Sequence, residues 1–501
     1  MNFELNNLLP LIVNFPLFMA MLLIIVRHKI TNYIITIFTT FIVLLISVFL
    51  LVNIDLLDSL HYYFGNFLSP FGIEYRVELL NLFFIFLLSL VAFIVSIYNL
   101  KPTLLEINNK KYYLFNVIFL LCYTGLLGIL TTNDAFNLFV FLEISSLSSY
   151  ILISMNRNKH ALLASFNYLI IGSIGASFYV FGIGILYAFY GTLNISTLTY
   201  AIENASTIPA AVNVSFLLII IGILIKIALF PMFLWAPNVY NFSPFTASAF
   251  LASVSGKVAI YVFIKIVLIF LSVTSFFNMH TILNAISILA VFSMFIGGYL
   301  AFKQDNLKKL FAFSSLAQVG FIMFALSLNT VDAMSVALFL VFTHALIKLG
   351  LFLIAGIINI KFGSYNLNDL SGHAIKSKFI FFMLVFFMLS LASIPGTAMF
   401  IAKFNLILAT INNQNYIFSV LIILASILSF LYSFKVIYKF WYRPKNLQDI
   451  DENLIVHKAP FYSILAVIIV FIINVAIIIY PDFLINITNY IAFSTINSNI
   501  K

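Results

Sequence analysis

The chain has 501 residues, of which 63% are hydrophobic and only 8% are charged, and its mean hydropathy is +1.14. Water-soluble domains carry about 25% charged residues, so this composition excludes a soluble globular protein and indicates an integral membrane protein. The net charge of +9 would suit a nucleic-acid-binding protein, but the placement of the basic residues in loops on one side of a membrane explains it more simply.

Apolar stretches of about 20 residues recur along the whole chain with short connections, which predicts an all-α, polytopic membrane domain covering residues 1–501. Between the second and third spans, residues 54–76 carry Asp55, Asp58 and Glu74 and form an external loop with room for an interfacial helix. Residues 439–459 form the longest polar loop. The fourteen predicted spans lie near 8–26, 33–52, 77–98, 113–131, 135–155, 162–190, 213–234, 246–271, 281–302, 309–328, 332–358, 379–410, 416–438 and 460–480.

The basic residues predict the orientation of these spans. With the boundaries above, all loop Lys and Arg residues except Arg76 and Lys501 fall on one side of the membrane. Loops rich in Lys and Arg are cytoplasmic, so we expect both termini on the outer side of the cytoplasmic (inner) membrane. The first span, 8–26, has no basic segment before it and a basic run after it, which favours a retained helix over a cleaved signal peptide.

No sequence pattern in the chain indicates a catalytic, redox or metal centre. The single cysteine, Cys122, lies in an apolar span, which excludes a disulfide framework and a cysteine-ligated cluster. No glycine-rich dinucleotide motif follows a strand, and no His and Cys cluster has metal spacing. We therefore predict no cofactor and no metal in this chain.

The fifth span contains the only acidic residue that lies deep in the predicted bundle. Glu143 follows Asp134 by nine residues, which places it about 13 Å into the membrane, near the middle of a hydrocarbon core about 30 Å thick. An ionised carboxylate there needs a cationic partner. The alternative is a protonated carboxyl group hydrogen-bonded to Ser145, Ser146 or a neighbouring helix.

The seventh and eighth spans each contain a lysine at membrane depth, Lys226 and Lys257. A lysine at a helix centre costs roughly 2.5 to 3.5 kcal/mol on insertion, so both are candidate functional residues. Pro231 follows Lys226 by five residues and predicts a broken helix beside it. A structural kink with Lys226 directed outward is the alternative. Lys265, nearer the outer end of the eighth span, is either a further member of the set or a residue whose ammonium group reaches the interface.

The eleventh and twelfth spans carry a second set of ionisable residues. His344 and Lys348 are four residues apart and therefore share a helix face. His344 is a candidate proton relay, with a packing role as the alternative. In the twelfth span Pro395 and Gly396 predict a second broken helix, and Lys403 follows two turns later.

The two broken helices suggest an internal repeat. They are five spans apart, run in opposite directions and each contains a membrane lysine. Inverted five-helix repeats would produce this arrangement, with repeat 1 near 113–271 and repeat 2 near 281–438.

These residues resemble the antiporter-like subunits of respiratory complex I (the L, M and N subunits of NADH:quinone oxidoreductase) and of the multisubunit Mrp Na+/H+ antiporters (the A and D subunits). The resemblance lies in FVFLEISSLSSY around Glu143, GILIKIALFPMFLWAP around Lys226, QDNLKKLFAFSSLAQVGF, HALIKLGLFLIAG from His344 and IPGTAMFIAKFNL around Lys403. It implies a fourteen-helix fold whose central polar axis of Glu, Lys, Lys, His and Lys corresponds to Glu143, Lys226, Lys257, His344 and Lys403.

The resemblance implies a proton-translocating subunit that assembles with other integral membrane subunits and moves H+, with or without Na+. The length, Lys403 in place of the glutamate usual in the M subunit, and the run YGTLNISTLTYAI resemble the D-type subunits of Mrp antiporters most. The N or M subunit of complex I is the alternative, in which case the chain is part of a redox-driven translocase. A stand-alone solute transporter and a scaffold subunit are the remaining hypotheses.

Overall fold

The structure, a computed structural model, describes residues 5–54, 59–205, 208–268, 279–372, 374, 377–442 and 458–497. Three of the predicted features fall wholly or partly outside these ranges. They are the loop acids Asp55 and Asp58, the last residues of the eighth predicted span at 269–271, and residues 443–457 of the long polar loop.

The described chain is almost entirely helical. Twelve of its helices are long and apolar enough to cross a membrane, and three further apolar helices are shorter. The protein is thus an all-α, multi-pass membrane protein. The helices are α1 (Leu9–Ile25), α2 (Lys29–Asn53), α3 (Leu79–Tyr98), α4 (Leu100–Glu106), α5 (Tyr112–Thr131), α6 (Ala135–Ser154), α7 (Lys159–Tyr190), α8 (Ile195–Glu203), α9 (Ala210–Ile227), α10 (Ala236–Phe242), α11 (Phe245–Val262), α12 (Met279–Lys303), α13 (Leu307–Ser327), α14 (Val331–Phe362), α15 (Lys378–Ala392), α16 (Ala398–Asn412), α17 (Tyr416–Trp441), α18 (Phe461–Ile479) and α19 (Pro481–Asn497).

The seventh predicted span, 213–234, contains most of α9 and the break that follows it, and the short helix α10 begins beyond its end at Ala236. Helix α9 ends at Ile227, and Ala228 adopts a left-handed conformation with φ of 63°. Proline has no backbone N–H to donate to the fourth preceding carbonyl, so Pro231 cannot extend the helix. The indole Nε1 of Trp235 donates to the carbonyl of Ile225 at 3.1 Å, which satisfies one backbone acceptor released at this break.

The twelfth predicted span consists of two helices. Helix α15 ends at Ala392, Ser393 is left-handed with φ of 60°, and Gly396 has φ of 89°. Helix α16 then begins at Ala398, where the side chain of Thr397 accepts from the backbone N–H of Phe400. Both breaks therefore combine a left-handed residue with a proline two or three positions later. The relation of the two halves as inverted repeats stays a prediction.

Burial increases from the rim of the bundle to helices α13 and α14. The most apolar windows of α2, α17 and α18 are only 33% buried, whereas those of α13 and α14 are 100% buried. Helix α14 packs against α11, α13, α16, α18 and α19. Apolar side chains cover the exposed faces of the outer helices, as a lipid environment requires. Helix α14, which carries His344 and Lys348, is therefore the centre of the fold.

Part of the external loop forms a two-stranded antiparallel hairpin, β1 (Leu60–Tyr63) and β2 (Glu74–Val77), instead of the interfacial helix allowed for by the sequence. The buried carboxylate of Glu74 accepts hydrogen bonds from His61 at 2.6 Å, Asn133 at 3.0 Å and Asn194 at 2.6 Å. Burial raises the pKa of Glu74, but these hydrogen bonds outweigh it and lower the pKa to about 2. The hydrogen bonds from Asn133 and Asn194 to Glu74 attach the hairpin to the loops before α6 and α8.

Helix α19 is a feature that hydropathy did not predict. Its sequence, PDFLINITNYIAFSTIN, mixes polar and apolar residues and gives no continuous apolar stretch. It packs against α14 and α18, and the hydroxyl groups of Ser335 and Thr488 hydrogen-bond at 2.9 Å across the contact with α14.

Candidate functional site

The six ionisable residues predicted from the sequence lie on five helices of the bundle interior. Lys257, His344, Lys348 and Lys403 are at most 3% exposed, and Glu143 and Lys226 are partly buried. They lie on α6 (Glu143), α9 (Lys226), α11 (Lys257), α14 (His344 and Lys348) and α16 (Lys403).

Lys226 is bonded to a serine hydroxyl in this structure. Its ammonium Nζ donates to Ser146 Oγ at 2.7 Å. Glu143, one turn earlier on α6, forms no ion pair within 4.0 Å among the described residues, and its buried Oε1 has no hydrogen-bond partner there. The carboxylate is nonetheless close enough to interact electrostatically with Lys226. Glu143 and Lys226 are therefore neighbours in this structure, but they do not form an ion pair.

A hydroxyl-lined cavity of about 30 Å³ connects Lys226 with α11. Its lining includes Ser146 and Ser149 of α6, Lys226 of α9 and Ser255 of α11. A polar cavity larger than about 15 Å³ can hold a water molecule. Ser255 is two residues before Lys257, so the cavity extends from Lys226 to the segment of α11 that carries Lys257, although Lys257 itself does not line it.

Lys257 and Lys348 are held by backbone and hydroxyl oxygens. Lys257 Nζ donates to the carbonyl of Ala252 at 2.6 Å. Lys348 Nζ donates to the carbonyl of Phe311 at 2.8 Å and to Ser314 Oγ at 2.5 Å, both on α13. Neutral oxygens stabilise an ammonium group without trapping it in an ion pair.

His344 and Lys403 have no hydrogen-bond partners among the described residues. Both ring nitrogens of His344 and Nζ of Lys403 are buried and unpartnered. Lys403 Nζ instead lies 4.0 Å from the ring centroid of Phe321 on α13, a cation–π contact. The charges of Lys257, Lys348 and Lys403 all act at His344, so these four residues form one electrostatic cluster.

Helix α13 contributes side-chain partners that the sequence did not reveal. Phe311, Ser314, Gln318 and Phe321 are spaced by three or four residues and share one face. The first two contact Lys348, and Phe321 contacts Lys403. Seven residues separate the two contact points, about 10 Å along the helix. The only signal for this face in the sequence is its series of small polar residues.

Glu106, which is partly buried, and Lys308 are a further set of neighbouring ionisable residues, and the predicted span boundaries place Lys308 in a loop. That assignment is wrong, because Lys308 is 1% exposed. Its Nζ donates to the carbonyl of Ser243 at 2.6 Å and lies 4.0 Å from the ring centroid of Phe245. The Glu106 carboxylate accepts from the Phe245 backbone N–H at 2.5 Å. Burial raises the pKa of Glu106, and the charge of Lys308 partly offsets this.

Among the described residues, no three or more His, Cys, Asp and Glu side chains are grouped so that they could hold a metal ion. Chemically, the series of buried amines, one imidazole and one carboxylate can accept and donate protons.

Comparison with known proteins gives the family of the chain. Residues 132–429 match the family described as NADH:quinone oxidoreductase/Mrp antiporter, TM. This range contains all six candidate residues and both helix breaks.

Two relatives and one solved structure illustrate the match. The chain is 34% identical to NADH-quinone oxidoreductase subunit N of Desulforudis audaxviator over 75% of its length and 74% of that protein. It is 29% identical to the D subunit of the Na(+)/H(+) antiporter of Alkalihalophilus pseudofirmus, over 89% of each chain. A chain of the membrane-bound sulfane sulfur reductase, an archaeal respiratory membrane complex, superimposes with a TM-score of 0.89 and 25% identity, covering 98% of each chain. The chain therefore belongs to the NADH:quinone oxidoreductase/Mrp antiporter transmembrane family.

Proposed function

We propose that this protein is a proton-translocating membrane subunit of a multisubunit cation/proton antiporter, of the D-subunit type found in Mrp antiporters. The observation that supports this function is the series of buried ionisable groups from Glu143 to Lys403 within an apolar bundle. Each buried charge is costly in hydrocarbon, and packing alone would be served better by apolar side chains. These side chains need only to accept and donate protons, and no other bond has to form or break.

The first step uses the two acceptors of Lys226. Glu143 and Ser146 are three residues apart, so their side chains lie on neighbouring turns about 4.5 Å apart along α6. Beside the carboxylate the ammonium form of Lys226 is favoured, because an opposite charge stabilises the protonated amine. Beside Ser146 only a neutral hydroxyl accepts from it, and the amine gives up its proton more readily. Movement of the Lys226 side chain by one turn thus switches its proton affinity.

The released proton then passes along the remaining groups. Water in the hydroxyl-lined cavity relays it towards Ser255 and Lys257. Positive charges on Lys257, Lys348 and Lys403 each repel a charge on His344, and those on Lys257 and Lys348 repel one another, so arrival of one proton favours departure of the next. His344 can accept at one ring nitrogen and donate from the other, and the α13 face provides oxygen acceptors along this part of the route.

Two settings fit this function. The relationship to the D subunit of a Na(+)/H(+) antiporter favours a cation/proton antiporter, and the relationship to NADH-quinone oxidoreductase subunit N favours a redox-driven proton pump. In both settings the partners are other integral membrane subunits. Purification of the native complex followed by mass spectrometry distinguishes them, because a redox-driven pump must also contain quinone-reducing and NADH-oxidising subunits.

We further propose that the protein lies in the cytoplasmic (inner) membrane with both termini on the outer side. The one-sided distribution of loop Lys and Arg supports this orientation. Single cysteines at Arg76 and Arg157, introduced in a Cys122→Ser background, provide the test. A membrane-impermeant thiol reagent applied to whole cells should label position 76 and not position 157, and the reverse labelling would refute the orientation.

The central experiment measures proton transport in everted vesicles containing the native complex with Lys226→Ala or Glu143→Ala. Each variant should abolish transport while leaving the amount of assembled complex unchanged. Lys435→Ala is the matched control, since Lys435 is also a lysine within a membrane helix but bonds Asp305 and two carbonyls away from the polar axis. Normal transport per assembled complex in the Lys226 variant would refute the proposal and favour a scaffold. Saturable uptake of an organic solute by the chain alone would favour a solute transporter.

A further inference from the structure

A second polar cavity lies at the edge of the bundle, away from the ionisable series. It has a volume of about 230 Å³ and is bordered by three helices. These are the first turns of α14, the helix α16 that follows the break in the twelfth span, and the middle of α19. None of the six ionisable residues assigned to proton translocation lines it. Its polar lining residues are Asp332, Ser335, Asn405, Asn412, Thr488 and Asn489.

The polar half of the lining consists of neutral or anionic oxygen-bearing groups, and the other half is apolar: Val336, Phe339, Ala402, Leu408, Ala409 and Ile485. One carboxylate, three carboxamides and two hydroxyls face the space, and no Lys, Arg or His is among the described residues that line it. Asp332 forms no ion pair among the described residues. Hard oxygen ligands of this type select alkali and alkaline-earth cations. Because only one of them carries a formal charge, the set matches a monovalent ion better than a divalent one.

The cavity has the size and depth for a partly hydrated ion. It exceeds the volume of several water molecules, and Asp332, Asn412 and Asn489 at its mouth are exposed. Along α16 its lining extends from Asn412 inward to Ala402, about 15 Å by helical rise. Ala402 immediately precedes Lys403 on α16, but Lys403 itself does not line the cavity.

We propose that this cavity is a binding site for an alkali-metal cation, with Asp332 as its charged ligand and the Asn405 and Asn489 carboxamides as neutral ligands. Helix α19 is an essential wall of the site, and the hydrogen bond between the Thr488 and Ser335 hydroxyls holds that wall against α14. Binding of the cation does not depend on the proposed proton-translocating function.

The test is equilibrium binding of ²²Na+ to the purified native complex, carried out with wild type, Asp332→Asn and Asp482→Asn. Asp482 is an exposed carboxylate in the first turn of α19 that does not line the cavity, and its variant makes the same charge change. We expect Asp332→Asn to remove one site per chain or weaken it at least about tenfold, as loss of a charged contact requires, and Asp482→Asn to match wild type. Asn405→Leu, which keeps every charge and fills the cavity, should also remove the site.

The outcomes separate the proposal from its rivals. Competition of ²²Na+ by unlabelled Na+ and Li+ but not by choline supports an alkali-metal site, and equal competition by K+ supports it without Na+ selectivity. Equal binding in wild type, Asp332→Asn and Asn405→Leu would overturn the proposal, as would equal losses in the Asp332 and Asp482 variants. Binding in the Lys226→Ala complex should equal that of wild type, so a failure of the proton route leaves this result unaffected.

Discussion

Removal of the hydroxyl group that holds Lys226 should slow proton transport more than removal of a neighbouring hydroxyl. In Ser146→Ala the ammonium of Lys226 loses its 2.7 Å acceptor, and Glu143 one turn away becomes the preferred partner. A hydrogen bond from a charged donor contributes about 1.5 to 3 kcal/mol, which is about tenfold to a hundredfold in the population of the Ser146-bonded position. The transport rate should fall by up to this factor.

The chain offers a matched control for this change. Ser149 lies one turn further along α6 and lines the same cavity, but its hydroxyl donates to the carbonyl of Ser145 and does not contact Lys226. Ser149→Ala should therefore retain at least about half of the wild-type rate. The assay is the initial rate of quenching of a pH-sensitive dye in everted vesicles, divided by the amount of assembled complex.

The reasoning is refuted if Ser146→Ala and Ser149→Ala give the same transport rate per assembled complex.

Two further predictions concern stability. Glu74→Gln should lower the free energy of unfolding near neutral pH by on the order of 3 kcal/mol, because the pKa of Glu74 falls from its usual 4.5 to about 2 on folding. The ionised carboxylate makes its full contribution to the free energy of unfolding above pH 4.5 and loses it between about pH 4.5 and 2. Melting temperatures at pH 5 and pH 3 should consequently fall more steeply for wild type than for the variant, and parallel slopes would contradict this. Gly222→Ala places a Cβ 2.6 Å from the carbonyl oxygen of Gly175, so α9 and α7 must separate and the melting temperature should drop. Gly184→Ala meets nothing within 4 Å and should be neutral or stabilise by up to about 1 kcal/mol; equal shifts for the two glycine variants would show that the close approach is unimportant.

The position of each ionisable group along its helix could be predicted from the sequence because hydropathy is local. Lys226, Lys257 and Lys403 stand out in apolar stretches without any knowledge of their neighbours. The interruption of the seventh span follows from Pro231 for the same reason, since a missing N–H acts on the carbonyl four residues earlier.

Hydropathy did not predict burial where the residues that cover a side chain are distant in the sequence. Lys308 stands beside polar residues in the sequence and was assigned to a loop, yet it is buried against Ser243 and Phe245. Helix α19 lacks an apolar stretch of membrane length and was not predicted, although it packs on α14. Both cases show that a short or polar segment can be buried when neighbouring helices cover it.

The amino-acid sequence by itself determined that this is a membrane bundle with a small set of costly ionisable groups and two interrupted helices, because transfer free energy and proline geometry act within a single helix. Only the tertiary structure decided which atoms face those groups: Ser146 for Lys226, the α13 face for Lys348 and Lys403, and oxygen ligands from three helices around the second cavity. The hydrogen bonds that join these partners across helices link residues from 34 (Ser314 and Lys348) to 153 (Ser335 and Thr488) positions apart, and no local pattern specifies which side chains helix packing brings within 3 Å of each other.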